Sequence, residues 1–263
     1  MKIIFDSNVW QIVTLPDDPQ NFSEPSLADF KKIRQAIIDK KIEPFLSETV
    51  FTIEAIKKAE RQDFFSSTNA KIDVKEGSTD DGYITLGFSI GPNEDDAIDF
   101  IDRPILKKYF DEAIKLGFKI ARLPRIGGLV NKEVDAVRYK QEDAELSVYL
   151  EKVFEVGRKI EDNGGGMIQL EEIGKQYGNP VWMKGLKSAP EADRSKIAKA
   201  AAEWADGDSV AISIALGCDY FCTRDRARGA GSKSVLSQTN LTWLKNDYGF
   251  ETILPEDLAK LIY

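Results

Sequence analysis

The chain has 263 residues, of which 42% are apolar and 30% charged, a composition typical of globular proteins that bury a core without disulfides or structural metals. Its formal net charge of −8 does not favour long-range attraction to nucleic acid. It contains no histidine, which excludes Ser–His and Cys–His nucleophile pairs and His-ligated zinc, so catalysis would need carboxylates, lysines, tyrosines, hydroxyls or a hard metal ion.

The sequence shows no membrane-spanning or secretory signal. No apolar run approaches the roughly 18 residues that a membrane helix requires, and the N-terminus lacks the apolar region of a signal peptide. We therefore expect a cytoplasmic protein. Cys218 and Cys222 are predicted to be buried, reduced thiols.

The first 61 residues show a pattern of alternating strands and helices. Apolar residues predict a strand over 2–5 and an extended segment over 43–47. Helical spacing of apolar residues predicts helices over 26–40 and 48–61. The C-terminal part continues the alternation, with predicted helices over 188–205, 206–216 and 241–248, strands over 219–223 and 250–254, and a last helix beginning at Pro255. This alternation favours a parallel sheet flanked by helices.

The middle of the chain carries no recognised catalytic motif. Residues 71–91 alternate and contain three glycines, which predicts a β-hairpin, while 95–117 and 132–162 have a helical pattern. Asn163 to Gly166 form a break, and no Gly-Lys-Ser/Thr follows, so it is not a phosphate-binding loop. We predict an insertion of unknown role over 61–199 within a domain formed by residues 1–60 and 200–263.

Two aspartates directly follow apolar strands. Asp6 comes directly after the strand predicted over 2–5, and Asp225 comes two residues after the strand predicted over 219–223. Such positions face the crevice where open α/β sheets bind ligands. For Asp6, the structural alternative is that it caps the next helix or turn.

Two further carboxylates are candidates because of their helical spacing. Glu54 lies four residues after Val50, on the apolar side of its predicted helix, although an outward-pointing carboxylate at the edge of that side is the simpler alternative. Asp206 is interpreted as the N-cap of the helix over 206–216. Asp208 lies three residues before Ala211, on the inward face, and is therefore preferred as a functional residue.

The ordered combination of these motifs resembles the PIN-domain family of nucleases. The resemblance lies in the strand before Asp6-Ser7-Asn8, the segment 47–54 leading to Glu54, the segment 208–211, the sequence Thr223-Arg224-Asp225, and the ending over 249–258. It covers roughly residues 1–60 and 200–263. Each motif is short, so only their combination is specific.

The resemblance implies a PIN-like, Rossmann-like fold and a Mg²⁺- or Mn²⁺-dependent nuclease, a hydrolase that acts more often on RNA than on DNA. It implies a two-metal site held by Asp6, Glu54, Asp208 and Asp225, whose carboxylate oxygens suit these hard cations. Ser7, Asn8 and Thr223 would hydrogen-bond the carboxylates or water, or else serve ordinary turn chemistry. A homodimer is an expectation from the family alone.

A cluster of basic residues beside Asp225 is a candidate phosphate-binding site. Arg224, Arg226, Arg228 and Lys233 lie within ten residues and could hold substrate phosphates, or form a solvated loop. Arg122 and Arg125 form a second candidate.

The size of the insertion separates this chain from many PIN toxins, which are about half as long, so an antitoxin-type partner has no support in the sequence. Haloacid dehalogenase-type phosphatases also begin with a strand ending in Asp, but they need a second acid where this chain has Asn8. The alternative function is a non-catalytic scaffold of the same fold that binds RNA or protein.

Overall fold

The structure, a computed structural model of the chain, describes residues 1–67, 70–78, 83–92, 103–123, 131–178, 181–225 and 233–263. The strands are β1 (Lys2–Phe5), β2 (Glu43–Ser47), β3 (Ala70–Ser78), β4 (Ile84–Pro92), β5 (Lys119–Ala121), β6 (Tyr220–Cys222) and β7 (Thr252–Ile253). The helices are α1 (Ser7–Thr14), α2 (Leu27–Ile38), α3 (Arg61–Ser67), α4 (Pro104–Leu116), α5 (Lys132–Ala136), α6 (Asp143–Asp162), α7 (Ile168–Lys175), α8 (Trp182–Lys187), α9 (Arg194–Ala215), α10 (Gln238–Tyr248) and α11 (Pro255–Leu261). Within the described residues, no helix is both long and apolar enough to cross a bilayer.

The main sheet has five parallel strands in the order β5-β2-β1-β6-β7. The predicted parallel sheet flanked by helices is therefore confirmed. From β1 the chain proceeds through β2 to one edge of the sheet and later through β6 to the other. The carboxyl ends of β1 and β6 thus border the point where the strand order reverses, which is where open α/β sheets bind ligands.

Both faces of the sheet are covered by apolar clusters. Ile3 and Phe5 of β1 point into a cluster with Trp10 and Ile33, whereas Ile4 points to the opposite face and a cluster containing Val210. Successive side chains of a strand alternate between faces, so a strand covered on both sides is apolar throughout. This burial fixes the register that brings Asp6 to the end of β1.

The middle of the chain contributes to this framework. β5 pairs with β2 at the sheet edge, Phe110 of α4 packs in the first cluster, and Val156 of α6 packs in the second. The predicted hairpin is present as β3 and β4, which pair with each other as an antiparallel two-stranded sheet. A third cluster joins Ile53, helices α7 and α8, and the first half of α9.

The prediction of one helix over 48–61 is wrong. Glu48–Phe51 form a single 3-10 turn, residues 52–60 continue as turns, and α3 begins only at Arg61. The Ser47 hydroxyl caps the short turn by accepting the backbone N–H of Thr49 at 3.2 Å. The apolar residues of this segment are buried because they lie in successive turns that pack against the core. Their helix-like spacing does not come from one face of a helix.

The two helices predicted over 188–205 and 206–216 are in fact the single helix α9. Asp206 is consequently inside the helix and is not its N-cap. Gly207 explains the error: a side chain there would lie 3.2 Å from the Cα of Gly166, so the glycine permits close packing. In the sequence it resembles a helix break, since glycine in a helix costs about 1 kcal/mol relative to alanine.

Candidate metal centre

Asp6 is held in place by hydrogen bonds from three neighbouring residues. Its Oδ1 accepts the backbone N–H of Ser7 at 2.6 Å, and its Oδ2 accepts the hydroxyl of Thr223 at 2.5 Å and the side-chain amide of Asn8 at 2.8 Å. The Asp6 backbone N–H donates to Cys222 O at 3.0 Å, which ties the ends of β1 and β6 together. The carboxylate is therefore fixed at the crevice, with 9% of the residue exposed.

Glu54 approaches Asp6 from the turns that follow β2. Its backbone N–H donates to Thr49 O at 3.0 Å, and the Ser7 side chain donates a hydrogen bond to its carboxylate. Its Oε2 is buried and has no hydrogen-bond partner within the described residues. A buried carboxylate oxygen without a partner is costly, so a cation at this position would remove a real penalty.

Asp206 of α9 completes a group of three carboxylates. One oxygen from each of Asp6, Glu54 and Asp206 lies within 4.8 Å of the other two. These three residues come from the end of β1, from the turns after β2, and from the middle of α9. Because all three donors are carboxylate oxygens, the group could hold a hard metal ion.

Asp208 is not part of this group, although the sequence favoured it over Asp206. Two residues further along α9, it lies about 200° around the helix from Asp206. It is 0% exposed, and its charge acts on the buried Tyr149 of α6. Asp206 lies instead on the partly buried side of α9 with Glu203 and Ser209.

The pKa values of all three carboxyls are raised, so without a cation the three groups do not all ionise readily. Burial, with a smaller contribution from the charge of Asp6, raises the pKa of Glu54 to about 7. Burial also raises the pKa of Asp206 well above its usual range, with Asp6 and Glu54 adding to the shift. Burial raises the pKa of Asp6 despite the opposing hydrogen bonds from Thr223 and Ser7. Carboxylates that repel one another in a buried site are stabilised by a cation.

Asp225 lies on the exposed side of the centre. Its backbone N–H donates to the hydroxyl of Thr223 at 3.0 Å, and its charge raises the pKa of both Asp6 and Asp206. It is therefore close to the three buried carboxylates without being one of them. The structure places three of the four predicted acids, Asp6, Glu54 and Asp225, in this region.

Glu203 is a neighbouring acid that the sequence interpretation missed. Its carboxylate accepts the backbone N–H of Val235 at 3.1 Å, and burial raises its pKa, with a contribution from Asp225. It precedes Asp206 by three residues, the spacing at which side chains share a helix face. Glu203 and Asp206 could have been found together only by predicting that the helix continues across Gly207.

A buried arginine lies near the carboxylates. Arg61 is 5% exposed, and its Nη1 donates to Ala198 O at 2.7 Å. Burial lowers its pKa, while the charges of Glu54 and Asp206 oppose that shift. Its positive charge in turn lowers the pKa of Glu54. Arg61 thus offsets part of the negative charge from the side of the protein interior.

The predicted phosphate-binding residues have different positions. Arg224 forms a two-pronged ion pair with Glu24, with nitrogen–oxygen distances of 3.3 and 2.8 Å. Lys233 is exposed and pairs with Glu172 at 3.2 Å. Arg226 and Arg228 lie outside the described residues, as does Arg125 of the second candidate cluster.

Comparison of the chain with protein-family models, with curated proteins and with solved structures gives no match.

Proposed function

We propose that this protein is a divalent-metal-dependent nuclease of PIN-like fold that hydrolyses phosphodiester bonds, most naturally those of RNA. The observation that carries the proposal is the convergence of Asp6, Glu54 and Asp206 within 4.8 Å, where Glu54 Oε2 is buried and has no hydrogen-bond partner among the residues that the structure describes. Such an arrangement is costly unless a cation is bound.

The donor set favours Mg²⁺ or Mn²⁺. Both ions prefer oxygen ligands, and the three residues supply carboxylates alone. Asp206 replaces Asp208 as the helix-borne ligand in this proposal. Asp225 lies on the solvent side, where it would complete the centre and face the substrate. A bound divalent cation supplies charge stabilisation on phosphoryl oxygens and a lowered pKa for water.

The residues around the centre have positioning roles. Thr223 and Asn8 orient Asp6 Oδ2, and the Ser7 backbone orients Oδ1, so the remaining lone pairs of Asp6 point in fixed directions. The Ser7 side chain extends the same network to Glu54. Hydrolysis by direct attack of water needs no covalent enzyme intermediate, which agrees with a histidine-free chain.

The proposal is tested by cleavage of labelled single-stranded and structured RNA and DNA with Mn²⁺, with Mg²⁺ and with EDTA. We expect metal-dependent cleavage that is lost in Asp6→Asn and in Asp225→Asn. The matched control is Asp39→Asn, which removes one exposed carboxylate just before β2, at the opposite edge of the sheet.

Cleavage that persists in Asp6→Asn would show that the activity does not come from this centre. Absence of cleavage by the wild-type protein under every metal condition, together with binding of nucleic acid, would replace the catalytic proposal with the scaffold function.

A further inference from the structure

A pocket of about 600 Å³ lies beside the N-terminal half of α9. Its walls are α7, the N-terminal half of α9 and Lys233. Polar contacts fix its rim: the side-chain amide of Gln169 donates to Lys233 O at 2.9 Å. None of the three carboxylates of the metal centre lines this pocket, so it is a separate feature of the same helix.

The charged lining of the pocket is predominantly positive. Lys196, Lys199 and Lys233 contribute three positive charges, against one negative charge from Glu172. Glu172 is paired with Lys233. Lys196 and Lys199 are exposed and take part in no ion pair within the described parts of the chain. In a protein of net charge −8, this local excess of positive charge is notable.

Lys199 has a potential partner that it does not use. Glu203 lies four residues further along α9, a spacing at which lysine and glutamate often pair. The carboxylate of Glu203 instead accepts the backbone N–H of Val235 at 3.1 Å. The ammonium group of Lys199 therefore stays available to an anion in the pocket.

The lysines are aligned with the acids along α9. Lys199 precedes Asp206 by seven residues, and Lys196 precedes Glu203 by the same interval. Seven residues correspond to two turns, which places each lysine on the same face as its acid and about 10 Å away along the helix axis. A strand in a duplex rises roughly 3.4 Å per nucleotide, so about three nucleotides span that distance. An extended strand would need fewer.

We propose that this pocket is the backbone-binding groove for a single strand of nucleic acid whose scissile phosphate lies at the metal centre. Lys196 and Lys199 bind phosphates on one side of the cleavage position, and Lys233 closes the wall of the groove. The path of the strand from the pocket to the metal centre rests on the proposed nuclease function. Binding of the strand in the pocket can be measured without catalysis.

The dimensions of the pocket favour a single strand. A volume of about 600 Å³ is within the range of small-ligand pockets and holds one or two nucleotides, not a double helix. Lysine ammonium groups bind phosphate without reading the bases. RNA and DNA present the same phosphodiester backbone, so separate RNA and DNA strands in the test show which sugar is preferred.

The test measures binding of labelled single-stranded RNA and DNA by fluorescence anisotropy in EDTA, where no metal-dependent cleavage occurs, across a series of salt concentrations. Wild type is compared with the double variant Lys196→Gln/Lys199→Gln. The matched control is Lys260→Gln/Lys32→Gln, which removes two exposed lysines on α11 and α2. All variants keep the acidic centre, so differences report the lysines.

We expect the slope of log K against log salt to become less negative by about 1.4 in the groove variant, because each single-strand phosphate contact contributes about −0.7. At 0.1 M salt this corresponds to about 25-fold weaker binding, with little change in the control. The same variant should raise the KM of cleavage more than it lowers kcat.

Strand binding that depends on the lysines without any cleavage would support the groove and contradict the nuclease proposal. Cleavage with strand binding that is equal in both lysine variants would support the nuclease and overturn the groove. A wild-type protein that binds no single strand, or binds duplex more tightly than single strands, would also overturn the groove.

Discussion

The hydroxyl of Thr223 donates a 2.5 Å hydrogen bond to Asp6 Oδ2 and accepts the backbone N–H of Asp225 at 3.0 Å. One side chain thus joins the carboxylate at the end of β1 to the loop that carries the exposed acid after β6. Thr223 and Asp6 are 217 positions apart in the chain. Their contact depends on the parallel pairing of β1 with β6.

Replacing Thr223 with valine should loosen this connection while keeping the shape of the side chain. Thr223→Val removes a hydrogen bond to a buried carboxylate, which we expect to lower the free energy of unfolding by about 1–3 kcal/mol. We also expect Mn²⁺ affinity to fall at least 10-fold, the lower end of losses seen when a group that orients a metal ligand is removed. Calorimetric Mn²⁺ titration and thermal unfolding measure the two effects.

Thr223→Ser is the control, since it keeps the hydroxyl and should retain most of the Mn²⁺ affinity. Equal Mn²⁺ affinities of the valine and serine variants would show that the hydroxyl has no part in holding Asp6.

Glu54 should make the stability of the metal-free protein depend on pH. Its pKa is raised from 4.5 to about 7 in the folded state, so the unfolded chain loses this proton first as the pH rises. The stability contribution is present below about pH 4.5 and is lost progressively up to about pH 7. The loss is at most about 3 kcal/mol, because one pKa unit corresponds to about 1.4 kcal/mol.

Thermal unfolding in EDTA from about pH 5 to pH 8 measures this dependence. Glu54→Gln should show a smaller decrease than wild type, retaining the contributions of the other buried carboxyls whose pKa values are raised, including Asp6, Asp206 and Glu203. Saturating Mn²⁺ should restore wild-type stability at pH 8, by about 2.7 kcal/mol at 100 times its Kd. An identical pH dependence in wild type and Glu54→Gln would contradict the burial of this carboxylate.

The contact between α7 and α8 depends on two glycines. A side chain at Gly185 would lie 2.0 Å from Gly174 O, and one at Gly174 would lie 2.2 Å from Trp182 O. Gly185→Ala should therefore separate the helices and lower the free energy of unfolding by about 1–3 kcal/mol, despite the better helix propensity of alanine.

Urea unfolding compares Gly185→Ala with Lys187→Ala, an exposed substitution on the same helix that should change stability by less than about 0.5 kcal/mol. A Gly185→Ala protein as stable as wild type would mean that the two helices are not packed backbone to backbone.

Four of the five strands described in the main sheet were predictable because they are short apolar runs that alternate with helices, whereas β5 lies in the segment predicted as an insertion and was not predicted. The same regularity placed Asp6 and Asp225 at neighbouring strand ends, since parallel strands present their carboxyl ends at one edge. The position of Glu54 beside Asp6 was also anticipated, although the helix expected to carry it is a series of turns.

The third carboxylate was not predictable because its position depends on tertiary contact. Gly207 lies in the middle of α9 to admit the backbone of Gly166, a residue 41 positions earlier, and local sequence cannot show that contact. With a helix assumed to begin at Asp206, the capping role was the natural choice, and Asp208 received the inward face. The inward position predicted for Asp208 is correct, but in the continuous α9 that inward face belongs to the core, whereas Asp206 faces the crevice with Asp6 and Glu54.

We propose that Asp206, together with Asp6 and Glu54, holds a divalent cation, and Asp206 and Asp208 form a natural pair of test variants. Both substitutions, Asp206→Asn and Asp208→Asn, remove one charge from the same helix at nearly the same position. After thermal unfolding has verified that each variant is folded, electron paramagnetic resonance measures its Mn²⁺ binding and so distinguishes the two aspartates. We expect Asp206→Asn to lose at least 10-fold in Mn²⁺ affinity and folded Asp208→Asn to bind as wild type does. Loss of Mn²⁺ binding in Asp208→Asn with retention in Asp206→Asn would contradict the assignment.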